Sequence, residues 1–224
     1  PPSGCTPDPA AEAAERCVEA RKAQGAEFII CLSHSGTDED PEQSEDEQLA
    51  QAVDGIDVII SGHTHTLLTE PIVVNDTYIV SAGPYCQNLG SLTIETSADG
   101  TKRLADYRLI PIDETLADDP AVAALVEEWE EMVGETYLSR YNLAYDQVLT
   151  TAAFDLPLPE SAVQTGNALG ELAADAFLWA DRNLAAEPPE GPVISVTAAG
   201  VLRAPLYAGD LTVSESFVVL SMPA

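Results

Sequence analysis

Positive charge is what this chain has least of. Nine lysines and arginines stand against 38 aspartates and glutamates, a formal net charge of −29, and Lys22 and Lys102 are the only lysines. Such a surface repels phosphate polymers and anionic lipid headgroups, which excludes a nucleic-acid polymer or a membrane surface as partner. Long apolar runs are also missing, so no segment is suited to span a bilayer as a helix. Cysteine is sparse, and the four present do not have zinc-site spacing. Cys31 lies in an apolar strand and reads as a buried thiol, and Cys86 has no assignable role. No signal-peptide pattern opens the chain. The start at Pro1 and the stop after Met222-Pro223-Ala224 both read as cuts, so the missing targeting signal carries no information about the native protein.

Against these absences, 46% of the residues are hydrophobic, enough for a packed core. The 224 residues allow one large domain or two modest ones. Histidine is rare, with three in all, and their placement is the main signal. Val58-Ile59-Ile60 has no polar alternation and predicts a strand buried on both faces. It runs through Ser61 and Gly62 into His63-Thr64-His65. Upstream, Phe28-Ile29-Ile30-Cys31-Leu32 predicts a second buried strand, ending in Ser33-His34-Ser35-Gly36. All three histidines therefore fall on loops at the carboxyl ends of strands, where open α/β sheets place their ligands.

The remaining pattern alternates helices and strands. A helix is expected from Asp8 to Gln24, stopped by Gly25, and a short one ending near Val53 after an acidic loop. Thr77–Ser81 reads as a strand, and Ser91–Thr96 with Leu104–Ile110 as a hairpin across Asp99-Gly100. From Pro120 to about Tyr141, Val122, Leu125, Val126, Trp129 and Val133 recur at helical spacing. Composition then resets: a strand at Val148–Phe154, a helix capped by Asn167 and running through Ala180, and a strand at Val193–Val196.

Several of these stretches carry a resemblance. Ile29-Ile30-Cys31-Leu32-Ser33-His34-Ser35-Gly36 and Gly62-His63-Thr64-His65 resemble the strand-His-x-Gly and Gly-His-x-His blocks of the 5′-nucleotidase family of calcineurin-like metallophosphoesterases. Ser81-Ala82-Gly83 and Leu89-Gly90-Ser91-Leu92 are similar to the segment that closes its phosphoesterase domain. Gly166-Asn167-Ala168-Leu169-Gly170 through Ala174-Asp175-Ala176, then Ala199-Gly200-Val201-Leu202-Arg203 and Gly209-Asp210-Leu211-Thr212, resemble blocks of its C-terminal domain.

The resemblance implies an α/β fold in three parts. Residues 1–116 would be the C-terminal part of a metallophosphoesterase α/β/β/α sandwich, 117–142 a bridging helix, and 143–224 the first part of an α+β 5′-nucleotidase C-terminal domain. It implies a dinuclear centre of two divalent metal ions, Zn, Mn or similar, with a bridging hydroxide, hydrolysing 5′-nucleotides or 2′,3′-cyclic nucleotides. By position, His34 and His63 would bind one metal and His65 the other, while Arg203, Gly200 and Asn167 would face the nucleotide. It further implies a periplasmic or extracellular location, with which a Cys5–Cys17 disulfide would agree.

The family's Asp-x-His, Gly-Asp and Asn-His-Glu blocks, which come ahead of its strand-His-x-Gly block, do not occur ahead of His34 here and would lie before Pro1. The expectation is therefore a fragment without its catalytic residues, inactive alone. Gln164 and Ala198 stand where the family has arginine and asparagine, which loosens the expectation of nucleotide selectivity. Two alternatives fit the same residues: a metal- or anion-binding protein without turnover, or a relative that hydrolyses another ester, such as a thiosulfate conjugate.

Overall fold

Helices and strands alternate along the first half of the chain, and the parallel sheet follows from that alternation. The computed structural model describes residues 9–159, 166–185, 187 and 191–220. The chain divides into two compact units, one up to Ala117 and the other from Asp118 on.

In the first unit, α1 (Ala10–Ala23) leads to β1 (Ile30–Leu32), α2 (Glu45–Ala52) and β2 (Val58–Ile60). Next come β3 (Ile72–Val74) and β4 (Thr77–Val80), then the hairpin β5 (Asn88–Thr96) and β6 (Lys102–Pro111). The sheet order is β1-β2-β4-β3, with β1, β2 and β4 parallel and β3 antiparallel to β4. Ile59 and Ile79 face each other in register and are wholly buried, with Val18 of α1 and Ala50 and Val53 at α2 packed in the same core. Burying each isoleucine contributes about 1.5–3 kcal/mol.

The expected strands are present, but β1 and β2 are not buried on both faces. Ile30 is 54% exposed, Leu32 80% and Ile60 44%. Side chains alternate across the sheet. The face carrying Cys31 and Ile59 meets α1 and α2. The opposite face lines a groove of about 530 Å³ with Phe28, Val58, Leu92, Ile94 and Tyr107 among its walls. The β5–β6 hairpin is tied to the sheet by polar contacts: Lys102 Nζ pairs with Asp57 at 2.6 Å, Tyr78 Oη accepts the Leu104 N–H, and Tyr107 Oη donates to the Leu68 carbonyl. Strand β3 has no counterpart among the expected elements. It pairs with β4 through a two-residue turn in which Asn75 takes a left-handed φ of 51°, a conformation asparagine tolerates.

The second unit begins with α3 (Pro120–Thr136), capped by the Asp119 carboxylate, which accepts the N–H groups of Ala121 and Val122. The expected helix to Tyr141 stops at Thr136 and gives way to a 3-10 turn over Leu138–Tyr141. Strand β7 (Val148–Ala152) pairs antiparallel with β8 (Gly209–Thr212), and α4 (Ala168–Leu184) and α5 (Val213–Val219) complete the unit. Leu169, Ala173, Leu202, Leu206, Leu211 and Val219 form its core. The strand expected at Val193–Val196 does not form. Ile194 and Val196 are exposed, and neither β7 nor β8 offers them a ladder, so among the described residues the alternation has nothing to pair with.

Candidate functional site

The β1–β2–β4 ladder continues for one residue beyond each strand end before the chain turns. The Ser33 N–H donates to the Ile60 carbonyl at 3.0 Å, and the Ser61 N–H to that of Val80 at 2.9 Å. This fixes where His34 and Gly62 leave the sheet. A Cβ on Gly62 would lie 3.1 Å from His34 Nδ1, so glycine lets the imidazole rest against the neighbouring loop. His63 and His65 then hold left-handed backbone at φ 72° and 58°. Non-glycine residues pay about 1–2 kcal/mol for that conformation, and such strain gathers at functional sites.

The outcome is an edge-on pair, with the His34 and His63 ring centroids 5.1 Å apart and the planes at 62°. Both side chains lie at the solvent-facing end of the sheet. His65 is exposed too but meets Tyr85, centroid to centroid at 5.2 Å. Two of the three expected ligands thus stand together, and the third is paired with an aromatic ring. Imidazole suits Zn or Fe, and two adjacent rings are enough for two positions of one ion's shell. Among the described residues, no group of three or more His, Cys, Asp or Glu side chains converges to hold a metal. The fit is therefore to part of a coordination shell.

Behind the rings lies a polar scaffold that sequence patterning did not reveal. Asp46 on α2 accepts hydrogen bonds from Ser33 Oγ and the Gly36 N–H, and the Thr37 N–H donates to Thr64 Oγ1, between the two histidines of the second loop. Asp46 sits within a run of acidic residues that reads as solvated surface, and no local motif separates it from its neighbours. Tyr85 follows Gly83-Pro84, where the sequence signals only a loop. Cys31, on β1 below His34, is half-buried. Burial pushes its thiol up, and the charges of Asp46 and Cys17 add to the shift. Cys17 is exposed on α1, while Cys5, its expected disulfide partner, lies outside the described residues, as does Gln164.

The remaining expected site residues belong to the second unit. Asn167 is the N-cap of α4, as its position predicts. Its Oδ1 accepts the Gly170 N–H at 2.8 Å and its Nδ2 donates to the Pro157 carbonyl at 3.0 Å, so both ends of the amide are engaged within the fold. Gly200 sits exposed in a 3-10 turn over Ala199–Val201, with open space where a Cβ would be. Arg203 is half-buried, and its backbone N–H donates to the Val219 carbonyl at 2.9 Å.

No protein-family profile matches the sequence. Individual proteins do. The chain is 29% identical over 215 residues to the trifunctional nucleotide phosphoesterase protein YfkN of Bacillus subtilis, covering 93% of this chain and 14% of that protein. It is 26% identical over 224 residues to an apyrase of Anopheles gambiae, covering 90% of this chain and 36% of the apyrase. Among solved structures, the 5′-nucleotidase precursor of Thermus thermophilus superposes with a TM-score of 0.70 at 25% identity, over 96% of this chain and 42% of that one. The chain thus spans less than half the length of each of these proteins. The mixed α/β fold corresponds to the C-terminal portion of the metallophosphoesterase and 5′-nucleotidase arrangement, as the motif resemblance implied.

Proposed function

We infer that this chain, whose relatives are 5′-nucleotidases, apyrases and calcineurin-like phosphoesterases, supplies part of the active site of a metal-dependent phosphoester hydrolase. The observation that carries this reading is the His34–His63 pair at 5.1 Å, held at the carboxyl end of a parallel sheet. His34 and His63 would hold one divalent ion and His65 a second, with further ligands supplied by residues other than those described. Bound divalent metals would supply Lewis-acid activation of water and neutralise charge on phosphoryl oxygens. The chain's own contribution is to orient the imidazoles. Gly62 leaves room for His34, and the left-handed turn at His63 and His65 aims two rings from one short loop.

The substrate is a 5′-nucleotide or a 2′,3′-cyclic nucleotide. With a net charge of −29, the protein disfavours polymeric phosphates, which is compatible with a small-molecule substrate drawn in by its metals. In the second unit, Arg203 is suited to a nucleotide's phosphate or base through its planar fork, with Gly200 and Asn167 the other proposed nucleotide contacts. The enzyme acts in the periplasm or outside the cell, where the Cys5–Cys17 disulfide would be stable.

The test is metal-dependent nucleotide hydrolysis with and without His63→Ala in the complete polypeptide. Activity falls by at least about a hundredfold in the variant, while unchanged turnover overturns the reading. The 224-residue chain alone hydrolyses nothing, and detectable nucleotide hydrolysis by it would refute the claim that its ligand set is incomplete.

A further inference from the structure

Asp46 is the most enclosed carboxylate among the described residues, at 0% exposure, and it lies on α2, an element that carries no histidine. Enclosing a carboxylate is costly unless its lone pairs are used. Here both oxygens are spent on one turn. Oδ1 accepts the Ser33 hydroxyl at 2.5 Å, and Oδ2 accepts the Gly36 N–H at 3.2 Å. The Asp46 N–H returns a bond to the Gly36 carbonyl at 3.1 Å, and the Ser35 N–H donates to Ser33 Oγ at 3.3 Å. What these bonds bracket is His34. One residue beyond Gly36, the Thr37 N–H reaches Thr64 Oγ1 at 3.2 Å. Gly36 itself is packed so tightly on Thr64 that a Cβ would come within 2.5 Å of its methyl group.

We propose that Asp46 is the positioning residue of His34: from α2 it clamps both ends of the Ser33–Gly36 turn and, through Thr37 and Thr64, sets that turn against the His63–His65 loop. It touches neither metal nor substrate. Its effect is to hold the His34 imidazole at its distance from His63 before any ion arrives, which is how groups behind a ligand raise metal affinity. The proposal builds on the reading of His34 and His63 as ligands of one ion, and the experiment separates the two.

The chain's three histidines give three imidazole Hε1–Cε1 signals, so ring placement is read by NMR on the whole chain without metal, and Zn²⁺ affinity is read separately by calorimetry. Asp46→Asn and Ser33→Ala should each shift the His34 signal and, through the ring contact, that of His63. Both should weaken Zn²⁺ binding about tenfold or more. Ser33→Thr, which keeps the hydroxyl, restores both readouts and carries the test if Asp46→Asn does not fold. Val53→Ala, at the other end of α2, lowers stability and moves neither readout. The positioning role is overturned if Asp46→Asn behaves like Val53→Ala, or if Ser33→Ala leaves the imidazole signals in place. If the unaltered chain binds no Zn²⁺, two imidazoles do not hold the ion alone; the imidazole signals then decide the role of Asp46, and the metal reading is decided by the His63→Ala assay on the complete polypeptide.

Discussion

Gly62→Ala separates the placement of His34 from the stability of the fold. The new Cβ would stand 3.1 Å from His34 Nδ1 and 3.4 Å from the Ser33 carbonyl oxygen. Ordinary contact begins near about 3.5 Å, so the closer partner must retreat by about 0.4 Å. That partner is the end of an exposed side chain, which can yield, whereas Gly62 itself is not among the glycines held at positive φ. Restricting the unfolded chain gains about 0.4–1 kcal/mol, comparable with the cost of the crowding, so net stability changes by less than about 1 kcal/mol. Metal sites tolerate ligand shifts of only about 0.2 Å. A displacement of His34 by twice that amount should lower Zn²⁺ affinity roughly tenfold, or about 1.4 kcal/mol. Calorimetric Zn²⁺ titration beside urea denaturation reads both quantities on the same samples. Unchanged affinity in a stable variant would show that the His34 ring is not a ligand. A loss of stability above about 2 kcal/mol would show that the backbone, not the ring, had given way.

Three further outcomes follow from contacts away from the rings. Lys102→Met strands the Asp57 carboxylate, which keeps the Ile29 N–H at 2.7 Å but loses its cation; the pair is only partly buried, so urea denaturation should show a loss of about 1–2 kcal/mol. Burial pushes the Tyr107 hydroxyl up from its usual 10.0. Its stabilisation is therefore fully present below pH 10.0 and lost as pH rises through the raised value, so the fall in stability above pH 10.0 should be shallower in Tyr107→Phe. Cys31, with its raised thiol, should be alkylated by iodoacetamide at about pH 8 more slowly than exposed Cys86, and a Cys31 that reacts as fast would contradict the burial.

Much of this architecture could be read from residue order because local signals agreed. Apolar triplets ending in glycine or serine gave β1 and β2, the Asp99-Gly100 turn gave the β5–β6 hairpin, and Asn167 marked the start of α4. Periodicity failed where pairing decided the outcome. Ile72-Val73-Val74 looks no more strand-like than Val193–Val196, yet the first finds β4 across a short turn and the second finds no partner among the described strands. Nor can periodicity tell that one face of β1 and β2 lines a groove, since an unbroken apolar run looks the same whichever side is covered. At the site, the histidines were legible because they are rare and stand at strand ends. The pairing of His65 with Tyr85 and the clamp by Asp46 were not, because both are set by contacts across loops.

The left-handed backbone at His63 and His65 also matters to anyone redesigning this chain. Glycine at either position would relieve the Cβ penalty, and asparagine would reduce it, so a search for stabilising substitutions would be drawn to these two residues early. Each gain in melting temperature won there would cost an imidazole. Thermostability alone is therefore a misleading score for variants of this loop, and a library selected on it would drift toward well-folded proteins without His63 and His65.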